Sequence, residues 1–231
     1  MAGTKVKCGI AMRNFTAHPE LPDAAALLDY GVRMEELGFE SVWVWDHILL
    51  GVDPHFPILD SLTLLTALAA RTSRIKLGTG VLVLPLRNPL VLAKQISTMD
   101  HISGGRAGWN IVTTSNPDAS MNFGREEHLE HSERYARARE FYDVVTGLWD
   151  SWADDAFVRD VDAGIFSDLD KMHVLDHKGK YLSARGPLNI ARPIQGWPVI
   201  VQAGASEAGI QLAAGTAEAV FTGQRTMEAG Q

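Results

Sequence analysis

The sequence predicts an α/β fold on a parallel sheet, and three observations carry that expectation. Short apolar strands alternate with helix-patterned segments along most of the chain, the signature of βαβ units. The strands lack clean polar alternation, as expected of a sheet covered on both faces. The 231 residues, against about 150 per domain, suit one large domain with a sizeable core. A (β/α) barrel and an open doubly wound sheet both satisfy this pattern.

The elements follow in order. Val6 to Met12 reads as a buried strand, in which Cys8 is expected to be core. Asp23 to Leu37 reads as a helix that starts at an acidic residue and stops at Gly38. Ser41 to Asp46 is a strand rich in β-branched and aromatic residues, followed by a helix over Ser61 to Arg71. Ile75 to Leu84 is a third strand, and Pro89 to His101 a third helix closed by Ser103-Gly104-Gly105. Arg106 to Thr113 is a fourth strand, and Glu126 to Asp150 a long helix whose apolar residues recur at helical spacing. Ser151 to Pro193 breaks the rhythm; polar and turn-rich, it reads as an insertion with short local structure. Pro198 to Ala203, Ser206 to Gly215 and Ala217 to Thr222 supply a fifth strand, a fifth helix and a sixth strand.

Composition excludes more than it names. With 21 Lys plus Arg against 28 Asp plus Glu, the net charge of −7 argues against a nucleic-acid partner, which would leave a basic footprint. No apolar run approaches the roughly 18 residues of a membrane span, and the start is too short in apolar residues for a signal peptide. The expected location is the cytoplasm. A single cysteine forms no internal disulfide and no Cys-rich zinc site.

Candidate chemistry lies just past the apolar strands, because parallel α/β barrels build their sites at strand C-termini. Asp46 could bind a ligand hydroxyl or ring N–H, or cap the next segment; His47 beside it is either a hydrogen-bonding residue or a proton carrier. In the fourth strand Asn110 alternates with Trp109, so its amide faces inward if the indole faces the helices. A buried amide requires partners, either a ligand or a neighbouring strand, and Thr113, Thr114 and Ser115 add hydroxyls. His128, His131 and Tyr135 share a helical stripe. With Arg134 they suit an anion better than a metal, since no third ligand and no HExxH accompanies them; a solvated polar face is the plain alternative. Gln202-Ala203-Gly204-Ala205-Ser206 precedes a helix, where Ser206 either caps it or joins glycine backbone in holding phosphate. No GxGxxG, GxxxxGK[ST] or GxSxG occurs, which disfavours Rossmann dehydrogenases, P-loop NTPases and α/β-hydrolases.

At these residues the sequence resembles the luciferase-like flavin monooxygenases, which are (β/α)₈ TIM barrels. GWNIVTTSNPDASMNFG, HSERY, LWDSWADDAFVRD, HKGKYLSARGPLN and PVIVQAGASEAG are similar to the nitrilotriacetate, dibenzothiophene-sulfone and long-chain alkane branch. RNF, WVWDH, GTGVLVLPLRNPLVLAKQ and DHISGGR resemble the general class, including its deazaflavin users, so the chain reads as a mosaic joined near Gly105 to Gly108. The resemblance implies an incomplete barrel of about six of eight βα units, with residues 151–193 inserted after the fourth helix. It implies FMN as cofactor, held by Asp46, His131, Tyr135 and Ser206 with Asn110 near the flavin ring; no specific catalytic base is named by the sequence, and His47 is the best-placed candidate. Leu82-Val83-Leu84 stands where that branch has a hydroxyl residue. The implied activity is monooxygenation of a small organic substrate with O₂, using flavin reduced by a separate NADH-dependent reductase, with no metal and in a homo-oligomer. A non-catalytic flavin-binding barrel fragment and a deazaflavin oxidoreductase are the alternatives. The insertion is expected to build the substrate pocket, and the first and sixth strands to be sheet edges.

Overall fold

The computed structural model describes residues 6–15, 21–47, 57–84, 87–114, 129–223, 226 and 228. Ser115 and His128 lie outside them. The strands are β1 (Gly9–Met12), β2 (Ser41–Val44), β3 (Lys76–Thr79), β4 (Leu82–Val83), β5 (Ala107–Val112), β6 (His177–Lys178), β7 (Ser183–Ala184), β8 (Val199–Gln202) and β9 (Ala219–Val220). The helices are α1 (Ala24–Glu36), α2 (Ser61–Ala69), α3 (Pro89–Ser103), α4 (His131–Trp149) and α5 (Glu207–Thr216). Seven strands form one parallel sheet in the order β1-β2-β3-β5-β8-β9, with β4 paired to β5 beside β3. This is a partial barrel of the (β/α) type, and β1 and β9 end the path.

Local chemistry accounts for the helix ends. Asp23 accepts the N–H groups of Ala25 and Ala26, and Asn88 those of Leu90 and Val91 ahead of a proline at the first helical position. These are the orphan donors of a helix start. Gly104, at φ +69°, closes α3 in the left-handed conformation that glycine adopts without strain.

The core lies between the sheet and the helices. Val42 and Val44 of β2, Leu77 of β3, and Trp109 and Ile111 of β5 are fully buried on that side. Trp109 meets Trp149 of α4 edge-on, with ring centroids 5.8 Å apart. The indole therefore faces the helices, and the neighbouring Asn110 faces the sheet's other side. On that side the Trp43 indole lies across Gly78, where a Cβ would sit 2.3 Å from the ring.

Four expectations need correction. The third strand is two, because Gly80 spends its N–H on Val44 and its carbonyl on the Asn110 side chain, which interrupts the ladder. The long helix begins at His131, after Glu130, although the sequence pattern places its start at residue 126. Cys8 is exposed, since β1 begins one residue later at the end of the sheet path. The insertion, with its β6–β7 hairpin and bridges Trp152–Met172 and Asp160–Ile165, packs on helices rather than over the strand ends. Glu140 of α4 accepts the Tyr181 and Leu182 N–H groups, Lys94 of α3 donates to Asn189, and His101 meets the Ala191 carbonyl.

Candidate functional site

A crevice opens where β5 and β8 part company. The two strands are paired as far as Ile111 and Gln202; past that point β5 runs on to Val112, and the other chain segment turns toward α5. The opening, about 260 Å³, is lined by Ile111, Thr113, Thr114, His131, Arg134, Tyr135, Gln202 and Gly204 among others. It sits at strand C-termini, where parallel sheets place ligands.

The first turn of α4 supplies its polar wall. His131 and Tyr135, four residues apart on one stripe, stack with ring centroids 4.9 Å apart. Arg134 between them donates to the Thr114 carbonyl at 2.5 Å. Thr114 has φ +51°, a left-handed backbone that is uncommon for a residue with a Cβ.

The opposite wall is the turn after β8. A Cβ on Gly204 would stand 2.8 Å from Gly209 Cα and 3.0 Å from the Tyr135 hydroxyl, so only glycine brings the turn this close to both α5 and Tyr135. The Gly204 N–H donates to Gln202 Oε1. Ser206 Oγ accepts the Gly209 N–H at 3.2 Å, capping α5. The Gly204 N–H, one of the backbone donors expected beside a phosphate, is thus held inside the protein, and α4 side chains line the facing wall.

The remaining candidates occupy other positions on the same end of the sheet. Asn110, 3% exposed, donates to the Gly80 carbonyl at 2.6 Å, while its Oδ1 is buried without a partner. Asp46 and His47 follow β2, two strands from β5. Asp46, 2% exposed, accepts from Arg87 at 2.7 Å, from Ser61 and from the Val83 N–H, so it ties β2 to β4 and α2. Burial lowers the His47 pKa, against the opposing pull of the Asp46 charge.

The structure therefore gathers His131, Tyr135 and Arg134 in one crevice, sets Ser206 at its edge as a cap, and leaves Asn110, Asp46 and His47 outside its lining. Gln202 had no role in the sequence reading, which gave Gly204 only a backbone role beside a phosphate. The available signal for Gln202 was a polar residue ending the apolar strand VIVQ. Among the described residues no group of three or more His, Cys, Asp or Glu could hold a metal, and no helix is long and apolar enough to cross a membrane.

Comparison with known proteins places this geometry. The chain is 45% identical over 222 residues to N-acetyl-S-(2-succino)cysteine monooxygenase of Bacillus subtilis (strain 168), covering 93% of this chain and 50% of that protein. That alignment runs through both halves of the chain, across the junction at Gly105 to Gly108. The crystal structure of long-chain alkane monooxygenase superposes with a TM-score of 0.87 at 31% identity, covering 98% of this chain and 58% of that one. A riboflavin lyase solved with modified FMN and riboflavin gives 0.85 at 30% identity, covering 97% and 56%. The chain thus spans about half the length of the relatives it matches. A family model described as luciferase-like monooxygenase matches residues 6–230, and with that match over nearly its whole length the chain belongs to the luciferase-like monooxygenase family.

Proposed function

We propose that this chain forms the flavin-holding part of an FMN-dependent monooxygenase that acts with O₂ on a small organic substrate, the flavin being reduced by a separate NADH-dependent reductase. One observation carries the reading: the β5–β8 crevice, where a tyrosine, a histidine and an arginine from one helical turn face a glycine turn that admits no Cβ. Its 260 Å³ falls below the roughly 300–1,000 Å³ of whole-ligand pockets. That size suits a subsite, such as the phosphate end of a larger cofactor.

The donor set fits that end. The Tyr135 hydroxyl and the His131 ring are hydrogen-bond donors, and Arg134 adds positive charge, the combination that holds a phosphate ester. Asn110 Oδ1, buried without a partner, is an acceptor suited to a ring N–H, and leaving such an atom unmatched costs about 1–3 kcal/mol. His47, with its lowered pKa, is a neutral imidazole at neutral pH and suits proton transfer. In this reading Asp46 and Ser206 shape the strand ends, and their own side chains touch the ligand only at its margin. When bound, reduced FMN supplies the electrons for O₂ activation; the protein's contribution is to hold, orient and keep dry.

Titration with FMN, riboflavin and a deazaflavin, followed by fluorescence, tests the proposal. Selective FMN binding that weakens about ten-fold in Tyr135→Phe is the expected result. Preference for the deazaflavin would replace the proposal with a deazaflavin oxidoreductase. FMN binding without O₂-dependent product from reduced FMN would mark a non-catalytic flavoprotein.

A further inference from the structure

The fork between β5 and β8 is braced by one side chain. Gln202, 2% exposed, is the last residue of β8 and lies opposite Ile111 in the register. Its Nε2 donates to the Ile111 carbonyl at 3.3 Å, and its Oε1 accepts the Gly204 N–H. One amide therefore bridges both lips of the crevice. An apolar residue would satisfy burial at this position equally well, whereas a buried amide is tolerated because both its ends are bonded.

Two consequences follow for the crevice. The turn at Ala203-Gly204 is held in place, and with it the close approach of Gly204 to the Tyr135 hydroxyl. The Gly204 N–H is turned onto Gln202, so it is withdrawn from any ligand, and the Gln202 amide brings no charge of its own to the crevice. An anion seated there faces the His131, Arg134 and Tyr135 side chains of α4.

We propose that Gln202 is the positioning residue of the anion subsite, bracing the β5–β8 fork and keeping a neutral floor under the phosphate of a phosphate-ester flavin. The inference rests on the phosphate reading of the crevice. It assigns no contact with the reacting part of the cofactor. It predicts a loss confined to the phosphate-bearing ligand even in an uncharged variant, where added repulsion plays no part. Replacing the amide by a carboxylate keeps an acceptor for the Gly204 N–H but puts negative charge where a phosphate must sit.

The experiment is a fluorescence titration of the wild-type protein, Gln202→Glu and Gln202→Met with FMN and with riboflavin, which lacks the phosphate. Gln202→Glu is expected to bind FMN about ten-fold or more weakly while riboflavin stays within about two-fold. Gln202→Met, uncharged and without either hydrogen bond, is expected to lose about five-fold for FMN while riboflavin stays within about two-fold. If Gln202→Met does not fold, Gln202→Asn, uncharged and a methylene too short to reach both partners, takes its place. A wild-type preference for FMN that survives unchanged in Gln202→Glu, or a parallel loss for both ligands, overturns the role of Gln202 and leaves the phosphate reading standing. A wild-type protein that binds both flavins equally overturns the phosphate reading, and the inference with it.

Discussion

The two ends of the sheet treat their polar groups in opposite ways. At the strand N-termini, charged side chains are spent on the protein's own backbone. Arg106 donates to the carbonyls of Ser103, Ile75, Ala69 and Thr72 and to the Thr72 hydroxyl. Glu35 accepts the N–H groups of Ser73, Arg74 and Ile75, and buried Asp100 takes the N–H groups of Ala107 and Gln195 and the Gln195 side chain. At the strand C-termini, Asn110 keeps an unmatched acceptor, Thr114 holds a left-handed backbone, and α4 aims donors into a crevice. Satisfied polar networks rigidify a structure, and unmatched ones are tolerated where a ligand completes them. One end closes the fold, and the other keeps an unmatched acceptor and an open crevice.

The sharpest way to break this comparison is at Arg106. Arg106→Met strips five hydrogen bonds and leaves carbonyls without donors, which is expected to cost about 3 kcal/mol or more, seen as a fall in Tm. Flavin affinity of the folded fraction should stay within about two-fold; a larger change in affinity than in stability would dissolve the division between the two ends.

Glu35 sharpens it with a sign. Burial pushes its carboxyl up, but the three backbone N–H donors and the Arg74 charge outweigh that, and the net pKa is lowered. A carboxylate with a lowered native pKa contributes stability that is complete above its unfolded value and is lost as pH falls through the folded one. Glu35→Gln is therefore expected to cost about 1–2 kcal/mol at neutral pH and to flatten the acid limb of stability. An unchanged acid limb would remove Glu35 from the closing network.

The smallest expected effect separates capping from binding. Ser206→Ala should cost about 1 kcal/mol of stability through the lost cap, with FMN affinity changed less than in Tyr135→Phe. A loss of FMN affinity exceeding the Tyr135→Phe loss would make Ser206 a direct ligand contact and move it from the edge of the crevice into its wall.

Much of this architecture is legible residue by residue. Asp23, Pro89, Gly104 and Ser206 mark their helix ends correctly, because helix ends are set by residues within a few positions of one another. The placing of His131 and Tyr135 on one stripe, with Arg134 beside them, follows from helical period alone. Asn110 is readable as an inward amide because strand alternation sets it opposite Trp109, once the indole faces the helices. The start of α4 was harder, since Glu130 provides no side-chain capping bond and the residues before it carry a helix-compatible pattern.

The sequence by itself determined the βα alternation, the helix caps and the polar face of α4, all of which depend on near neighbours. Only the tertiary structure decided that β5 and β8 are adjacent, although 91 residues separate their paired positions. It decided that Asn110 interrupts the third strand from 30 residues away. It also decided that residues 151–193 cover α3 and α4 instead of the strand ends. Gln202 belongs to this second group: its partner Ile111 lies 91 residues earlier. A side chain's bonding across that distance is set by sheet order, which emerges when every strand buries its apolar face at once.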